Sequence, residues 1–349
     1  MRFIAGPFRA LVSLGLLAAM LQPALVRADE KKELELGRWY PTAEAGLNFT
    51  QSAYSTNWSG GDRGSIVWTA IFNSTLENQV SPKANSFTTL KLAFGQTHQQ
   101  VVDAKGDRSW DKPEKSTDLI DLESILRLTL GGFVDPFASV RLESQFQDAS
   151  DPFGRNLTIN PLKFKESAGI ARKFIDEEDR SLLSRLGFTF RQSARRTFLT
   201  DDPGDRSTGT ETANDGGIEL ITDYHTKILE DRVTWASKLT FYQPVFYSGQ
   251  DALDALDAAT LAAAGVDADV ADFTKTMDID WENIFTTQIT KIISVNLYTR
   301  WVYDKYDNTV LPALSREGVL ENGAAVRTAV RKAGQFKQTL ALGLTYRFL

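Results

Sequence analysis

The sequence predicts an all-β fold, a transmembrane antiparallel β-barrel of about twelve strands that follow one another as an up-and-down meander. Three observations predict it. From residue 42 to the end of the chain, stretches of roughly ten residues alternate between apolar and polar side chains, as strands do when one face meets lipid and the other meets water. The connections between these stretches alternate between short and long. The chain contains no cysteine, so its stability cannot come from disulfide bonds.

The first half of the chain contains six such stretches. In the first, AEAGLNF, Leu47 and Phe49 lie on one face while Glu44 and Asn48 lie on the other. The next five cover residues 65–78, 89–97, 119–130, 137–146 and 165–175. The last of these has a weaker pattern, which does not fix which of its faces points inward.

The second half repeats the scheme at residues 184–192, 218–228, 233–241, 279–289, 294–303 and 338–349. The final stretch, QTLALGLTYRFL, places Leu340, Leu344 and Phe348 on one apolar face. An apolar strand with an exposed edge needs a partner. We therefore expect it to pair with the first strand near residues 43–49, which closes the barrel and leaves the apolar face in lipid.

The connections indicate which end of the barrel is which. The five short ones lie near residues 81–85, 131–136, 176–180, 229–232 and 290–293. The six long ones lie near residues 52–64, 101–116, 148–164, 199–216, 244–276 and 304–335. Outer-membrane barrels have short periplasmic turns and long extracellular loops. A soluble β-sandwich also alternates apolar and polar side chains, but does not sort its connections by length in this way.

The first residues of the chain resemble a secretory signal peptide. Arg2 and Arg9 flank a basic start, an apolar run follows, and Val26 and Ala28 occupy the small positions before a cleavage point. A membrane anchor is the alternative, but Gln22 and Pro23 interrupt a run that is already short. We expect a signal peptide at residues 1–28, a periplasmic N-terminal segment at 29–41 and an outer-membrane barrel at 42–349.

The last strand also resembles the assembly signal of outer-membrane barrels. Gly343, Tyr346 and Phe348 match its pattern of a glycine, two residues, an aromatic, one residue and an aromatic, although Leu349 follows where such proteins commonly end. Similar segments at residues 57–68, 115–124, 279–304 and 335–348 make the chain resemble an uncharacterised family of outer-membrane β-barrels, a domain of unknown function. The resemblance implies the fold and the location, and it brings no activity or catalytic residues.

Charged and polar side chains follow the face opposite the apolar one. Facing lipid, each charge would cost several kcal/mol, about 2–4 at the bilayer centre, so we expect these side chains to line the lumen. They are Glu44, Lys91, Asp121, Glu123, Arg127, Arg141, Glu143, Arg185, Arg191, Glu219, Asp223, His225, Lys238, Asp280, Glu282 and Arg300. Such a lumen could be a water-filled path that selects solutes by charge. Alternatively, the two signs pair with each other and rigidify the wall.

Aromatic residues cluster near both ends of the expected strands, as in the girdles at membrane interfaces. At the periplasmic end they are Trp39, Tyr40, Trp235, Tyr346 and Phe348, and at the outer end Trp281, Trp301 and Tyr303.

The function that this pattern favours is a narrow channel or binding barrel for small solutes, since a twelve-strand wall leaves room for water. A structural or adhesive surface barrel is an alternative. A membrane-embedded hydrolase or acyltransferase is a weaker one, because the chain has only His98 and His225, on strands that place them at opposite ends. Asp223 and His225 share a strand face about 6.5–7 Å apart, which permits acid–base chemistry without indicating it.

The expected surroundings follow from location and charge. They are outer-membrane lipid and lipopolysaccharide, with the barrel-assembly machinery during biogenesis. A net charge of −6 with no basic cluster argues against nucleic acid, and no cofactor or metal is expected. Residues 250–274 are rich in Ala and Asp and predict a short helix over residues 251–264 that ends at Gly265. This helix belongs to a long loop that is either a lid over the mouth of the barrel or a mobile insertion. We expect this loop to be dispensable for folding.

Overall fold

The computed structural model describes residues 34–52, 63–103, 107–331 and 333–348. The proposed signal peptide and Leu349 therefore lie outside the described residues. The strands are β1 (Trp39–Ser52), β2 (Ser65–Ser81), β3 (Ala84–Val102), β4 (Arg108–Trp110), β5 (Glu114–Leu128), β6 (Asp135–Ser144), β7 (Gln147–Asp148), β8 (Leu157–Thr158), β9 (Leu162–Asp176), β10 (Arg180–Phe198), β11 (Thr208–Ile228), β12 (Val233–Tyr247), β13 (Asp278–Gln288), β14 (Ile293–Tyr303) and β15 (Gln335–Arg347). The helices are α1 (Gln250–Asp254), α2 (Ala258–Ala264), α3 (Val270–Phe273) and α4 (Gly323–Ala329).

Twelve of these strands close into one antiparallel barrel in meander order. Each pairs with the strands before and after it, and β1 pairs with β15, so that Ala45 faces Tyr346 and Leu47 faces Leu344. The predicted closure by the last strand is confirmed. Three short strands lie outside the barrel: β4 extends the far end of β3, and β7 pairs with β8. No helix among the described residues is long and apolar enough to cross a membrane.

The two faces of the wall differ as the alternation predicts. On β1, Asn48 is buried in the lumen while Leu47 and Phe49 are about half exposed on the outside. On β9, whose facing the sequence leaves open, Ser167 and Ala171 are buried and Ile170 is exposed. The pattern was weak there because small residues occupy both faces and give little contrast in hydropathy.

The connections confirm the sorting by length, and we refer to the two ends as the turn end and the loop end. The loop between β10 and β11 is about half as long as predicted, since β11 begins at Thr208 and residues 199–207 join it to β10. The start of β11 is polar on both faces, because a strand of 21 residues is about twice as long as the bilayer requires and extends into water. At the other end of the chain, β1 begins at Trp39, three residues before the predicted boundary.

Two loops fold together at the loop end into a structure that we call the cap, formed by the described parts of residues 248–277 and 304–334. Its apolar core contains Leu253, Leu261, Val270 and Val326, each no more than 4% exposed. The predicted single helix over residues 251–264 is two helices instead. Asp257 interrupts it, because its side chain accepts a hydrogen bond from the Thr260 backbone N–H at 2.7 Å and caps α2.

Glycines allow the cap to close tightly. Gly265 ends α2 in the left-handed conformation, with a φ of 65°, as the sequence predicts. Gly323, at the start of α4, approaches α2 so closely that a Cβ there would lie 2.8 Å from the Cβ of Ala264.

Candidate functional site: a charged cavity in the lumen

The barrel encloses a cavity of about 430 Å³ between its wall and residues 304–309 of the cap. Eleven of the sixteen side chains predicted to line the lumen lie in the wall of this cavity. They are Lys91, Asp121, Glu123, Arg141, Glu143, Arg191, Glu219, Lys238, Asp280, Glu282 and Arg300. Because these positions alternate along their strands, the strand period alone brings them to one interior surface.

The other five predicted side chains lie outside the cavity wall. Glu44 accepts a hydrogen bond from the Asn73 side chain at 3.1 Å, and Arg185 and Asp223 pair with each other at 3.4 Å. Arg127 and His225 lie on β5 and β11, near the turn end of those strands.

Several residues of the cavity wall were missed by the sequence analysis. They are Lys163, Lys165, Asp215, Tyr242, Asp278, Asp304, Asp307, Asn308 and Arg331. Lys163 and Lys165 belong to β9, whose facing the pattern did not fix. Asp215, Asp304, Asp307 and Arg331 fell in predicted loops, and a loop has no periodicity that could place its side chains.

Neighbouring strands hold forked ion pairs on the interior surface. The guanidinium of Arg141 donates to both carboxylate oxygens of Asp121, at 2.7 and 3.0 Å. Arg300 donates to both oxygens of Asp280, at 2.8 and 2.6 Å. Lys165 pairs with Glu219, two strands away. A bidentate pair fixes both side chains in one geometry, so these pairs stiffen the wall.

Two arginines link strands that are not neighbours. Arg185, on β10, is 5% exposed and lies 3.4 Å from a carboxylate oxygen of Glu123 on β5. Arg191, also on β10, reaches Asp278 on β13 at 3.3 Å and stacks over the ring of Tyr242 at 3.7 Å. Each contact spans three strand positions of the twelve-strand wall, so these side chains extend along the inside of the wall and occupy part of the lumen.

Lys91 and Lys238 differ from these paired cations. They project from β3 and β12, on opposite walls, and their charges interact across the lumen. Within the described residues neither lysine has a hydrogen bond or an ion pair. The nearby carboxylates are engaged elsewhere: Asp121 binds Arg141, Glu123 faces Arg185, and Glu282 accepts a hydrogen bond from the Tyr298 hydroxyl at 3.2 Å.

The cap supplies the loop end of the cavity. The side-chain amide of Asn308 donates to the Asp215 carboxylate at 3.4 Å and to the Thr274 carbonyl at 3.3 Å, which joins the two loops of the cap to the wall. Arg331 pairs with Asp304 and, at 3.0 Å, with Asp307. Residues 304–309 are therefore held in the mouth of the barrel.

The two aspartates that Arg331 contacts differ electrostatically. Burial raises the pKa of Asp304 above its ordinary value, although Arg331 acts in the opposite direction. Burial also acts to raise the pKa of Asp307, but the hydrogen bond from Thr309 and the charges of Lys163 and Arg331 outweigh it and lower that pKa. Of these two aspartates, Asp304 is thus the one whose charge the fold compensates less.

The histidines do not form an acid–base site among the described residues. Asp223, the carboxylate nearest to His225 along its strand, is directed to Arg185. Ser181 is the cross-strand partner of His225, but no hydrogen bond joins their side chains. His98 lies near the loop end beside Trp110, with ring centroids 6.5 Å apart. The predicted separation of the two histidines is thus observed.

The residues of the predicted assembly signal lie on both faces of β15. Gly343 faces the lumen, where a Cβ would lie 3.3 Å from the side-chain oxygen of Asn48. Tyr346 and Phe348 face outward, with their rings 4.9 Å apart and nearly perpendicular. The Phe348 N–H donates to the Ala43 carbonyl at 2.8 Å and extends the seam beyond the last residue of β15.

A closed antiparallel meander with apolar side chains outside and charged ones inside is the architecture of outer-membrane β-barrels, and the protein has this fold. Residues 49–149, under a third of the chain, match the family described as "Protein of unknown function (DUF3078)". The resemblance to an uncharacterised family is thereby confirmed over that stretch. A search of curated proteins found no match.

Solved structures that resemble the chain are outer-membrane barrels. The COG4313 outer membrane channel from Pseudomonas putida F1 is 12% identical, with a TM-score of 0.40, and the alignment covers 94% of this chain and 100% of that one. The β domain of the Bordetella autotransporter BrkA is 10% identical, with a TM-score of 0.32 and coverages of 88% and 98%. The translocator domain of the autotransporter NalP from Neisseria meningitidis is 8% identical, with a TM-score of 0.34 and coverages of 89% and 88%.

Proposed function

We propose that the protein is a narrow channel or binding barrel for small polar solutes in the outer membrane of a Gram-negative bacterium, reached by export with a cleaved signal peptide at residues 1–28. The observation that carries the proposal is the charged cavity of about 430 Å³ inside a wall whose outer face is apolar. A cavity of this size fits a small molecule and is lined by groups that exchange hydrogen bonds with water.

The outer face supports the location. Trp39 is 55% exposed near the turn end, and Trp281 and Trp301 are 45% and 37% exposed near the loop end. Aromatic side chains at two levels are typical of membrane interfaces. In this arrangement the turn end faces the periplasm, the cap faces the exterior, and lipid and lipopolysaccharide surround the wall.

The interior supports a small solute. Pairs such as Arg185 with Glu123 and Arg191 with Asp278 join strands that lie three positions apart and occupy part of the lumen. Solutes would enter past residues 304–309, so opening of the cap would control access from the loop end.

Single-channel conductance in a planar bilayer tests the proposal. The parent protein should conduct in small steps, and Arg300→Ala should shift the selectivity toward cations, because Asp280 then remains without its partner. Lys83→Ala, at an exposed turn outside the cavity, is the matched control and should leave the selectivity unchanged. A folded barrel that is silent and admits no solute in a liposome-swelling assay would contradict the proposal.

One observation favours a second candidate, a structural or adhesive surface barrel. The cap has an apolar core of its own and so presents a folded surface at the loop end. This candidate predicts a silent barrel whose binding to a surface partner is lost when the cap is removed.

A further inference from the structure

We propose that the cavity binds an amphoteric solute of the size of a short peptide, with its ammonium group at the loop end and its carboxylate between Lys91 and Lys238. The inference rests on the proposed function of the lumen as a solute site, and it names the class of solute. Two separate features of the cavity carry it, one at each end.

The loop end of the cavity has an excess of carboxylates. The guanidinium groups of Arg191 and Arg331 are their contacting partners, and Lys163 lies near enough to Asp307 to interact electrostatically. Four carboxylates face these three cations, namely those of Asp215, Asp278, Asp304 and Asp307. The cluster therefore has one carboxylate more than it has cations.

The same end holds acceptors without donors. Asn308 is only 9% exposed, and its side-chain oxygen has no hydrogen-bond partner among the described residues. One carboxylate oxygen of Asp304 is also buried and has no hydrogen-bond partner among the described residues. A buried acceptor that lacks a donor is unfavourable. An ammonium group brings three donors and one positive charge, and so meets both deficits.

The other end of the cavity, nearer the turns, has the opposite character. Lys91 and Lys238 approach from opposite walls without contacting a carboxylate in the described part of the chain, and their charges repel each other. An anionic group between them would receive donors from both sides. A carboxylate fits this position because neither ammonium group forms an ion pair within the described residues, although the charges of Asp121 and Glu282 act on Lys91 and the charge of Glu123 interacts with that of Lys238.

The spacing of the two ends indicates the length of the solute. Tyr242 is the cross-strand partner of Asp278, and Lys238 is the partner of Glu282, so four residues separate the two levels on each strand. That corresponds to about 13 Å along the strand. A peptide spans roughly 3.3–3.6 Å per residue, so four residues match this distance, and three fall about 2–3 Å short of it, which is within the reach of a lysine side chain.

Calorimetric titration of the purified, folded full-length protein tests the inference without any mutation. The probes are triglycine, triglycine amide, which lacks the anionic group, and N-acetyltriglycine, which lacks the cationic one. We expect triglycine to bind at least about tenfold more tightly than either analogue, since each analogue leaves one end of the site uncompensated. Equal affinity for all three probes, or no binding of any, would overturn the inference.

Lysine variants locate the anionic end. Lys91→Met with Lys238→Met should weaken triglycine binding by about tenfold or more and leave the weak binding of triglycine amide unchanged. Lys83→Met is the control, and heat-modifiable gel migration reports whether each variant is folded. Should the double variant not fold, each single variant is titrated instead. Unchanged triglycine affinity in the folded variants would contradict the assignment.

Conductance separates this inference from the proposed function. If the barrel conducts but does not distinguish triglycine from its analogues, the inference fails while passage of solutes stands. If the barrel does not conduct but binds triglycine selectively, the binding site is supported and the passage of solutes is contradicted.

Discussion

Arg191 and Asp278 form an ion pair of 3.3 Å inside the lumen, although the strands β11 and β12 lie between the two strands that carry them. The guanidinium of Arg191 also binds Asp215 on the neighbouring strand. One side chain therefore joins three strands at the level where the cap enters the barrel. This contact limits both the width of the lumen and the movement of the wall.

Replacing Arg191 by Met should remove this link and leave the carboxylates of Asp278 and Asp215 without their cation, while the barrel remains able to assemble. Because both side chains are mostly buried, the free energy of unfolding should fall by about 1–3 kcal/mol. Urea unfolding in lipid vesicles, followed by tryptophan fluorescence, measures this free energy of unfolding. Glu114→Gln, at an exposed position at the start of β5, is the control and should change the free energy of unfolding little. Equal values for the two variants would show that the pair contributes nothing to stability.

Arg155 should hold two loops together at the loop end. Its side chain is 4% exposed, pairs with Asp151 at 2.8 Å, donates to the carbonyls of Asp202 and Asp205, and lies 4.1 Å from the ring centre of Phe198. Arg155→Ala should make residues 145–161 and 199–207 sensitive to protease while the barrel stays folded. Arg206→Ala changes an exposed neighbouring residue and should not make these loops more sensitive to protease.

The same contact predicts a pH dependence. The hydrogen bond from Arg155 holds the pKa of Asp151 at about 2, below its ordinary value. A depressed pKa in the folded state stabilises the contact above the ordinary pKa, and this contribution disappears as the pH falls through about 2. Protease resistance of these loops should therefore persist at pH 4, assayed with an acid-active protease, and decline toward pH 2. A loss already complete at pH 4 would contradict this.

Deleting residues 251–272 and bridging the gap with a short Gly-Ser linker should leave the barrel assembled, because loop closure depends only weakly on length. The rest of the cap should not survive unchanged. Val326 and Leu320 pack against the deleted helices and would lose their apolar partners. Hydrogen exchange of residues 320–330 should therefore accelerate strongly.

Leu253→Ala is a milder change than the deletion, because it removes only one side chain from the core of the cap. Leu253 is 1% exposed, so truncation should destabilise the cap by about 2–5 kcal/mol. Ala263→Ser, on an exposed position of α2, is the control. If residues 320–330 keep their protection in the deletion variant, the two loops do not depend on each other for their fold.

Phe348→Ala should lower the amount of folded, membrane-inserted protein, since we propose that Gly343, Tyr346 and Phe348 are read by the barrel-assembly machinery. Phe336→Ala tests the specificity of this effect. Phe336 lies on the same strand and is 65% exposed, similar to 58% for Phe348, but it lies outside the motif. Heat-modifiable migration of outer-membrane fractions measures the folded amount. Equal losses in both variants would point to a general loss of lipid contact.

Particular residues show how far the sequence could predict this protein. The alternation of Leu47 with Asn48 on β1, repeated along the chain, determines which side chains face lipid, because a strand has a period of two. The position of every short turn follows from the same pattern. Eleven wall residues of the cavity were predicted in this way, since each lies within a stretch where both faces have a clear character.

The tertiary structure alone decided the partners of those side chains. Whether Arg185 meets Glu123 or Arg191 meets Asp278 depends on how the wall curves after closure, and no local pattern records that curvature. The cap is a second example, since Leu253 and Val326 belong to separate loops without periodicity and become one core only when β12 to β15 stand side by side. The sequence by itself determined the strand faces and the order of the barrel, because lipid and water act on each residue locally. The ion pairs, the packing of the cap and the two lysines without an ion pair in the described lumen were decided by contacts between residues far apart in the chain.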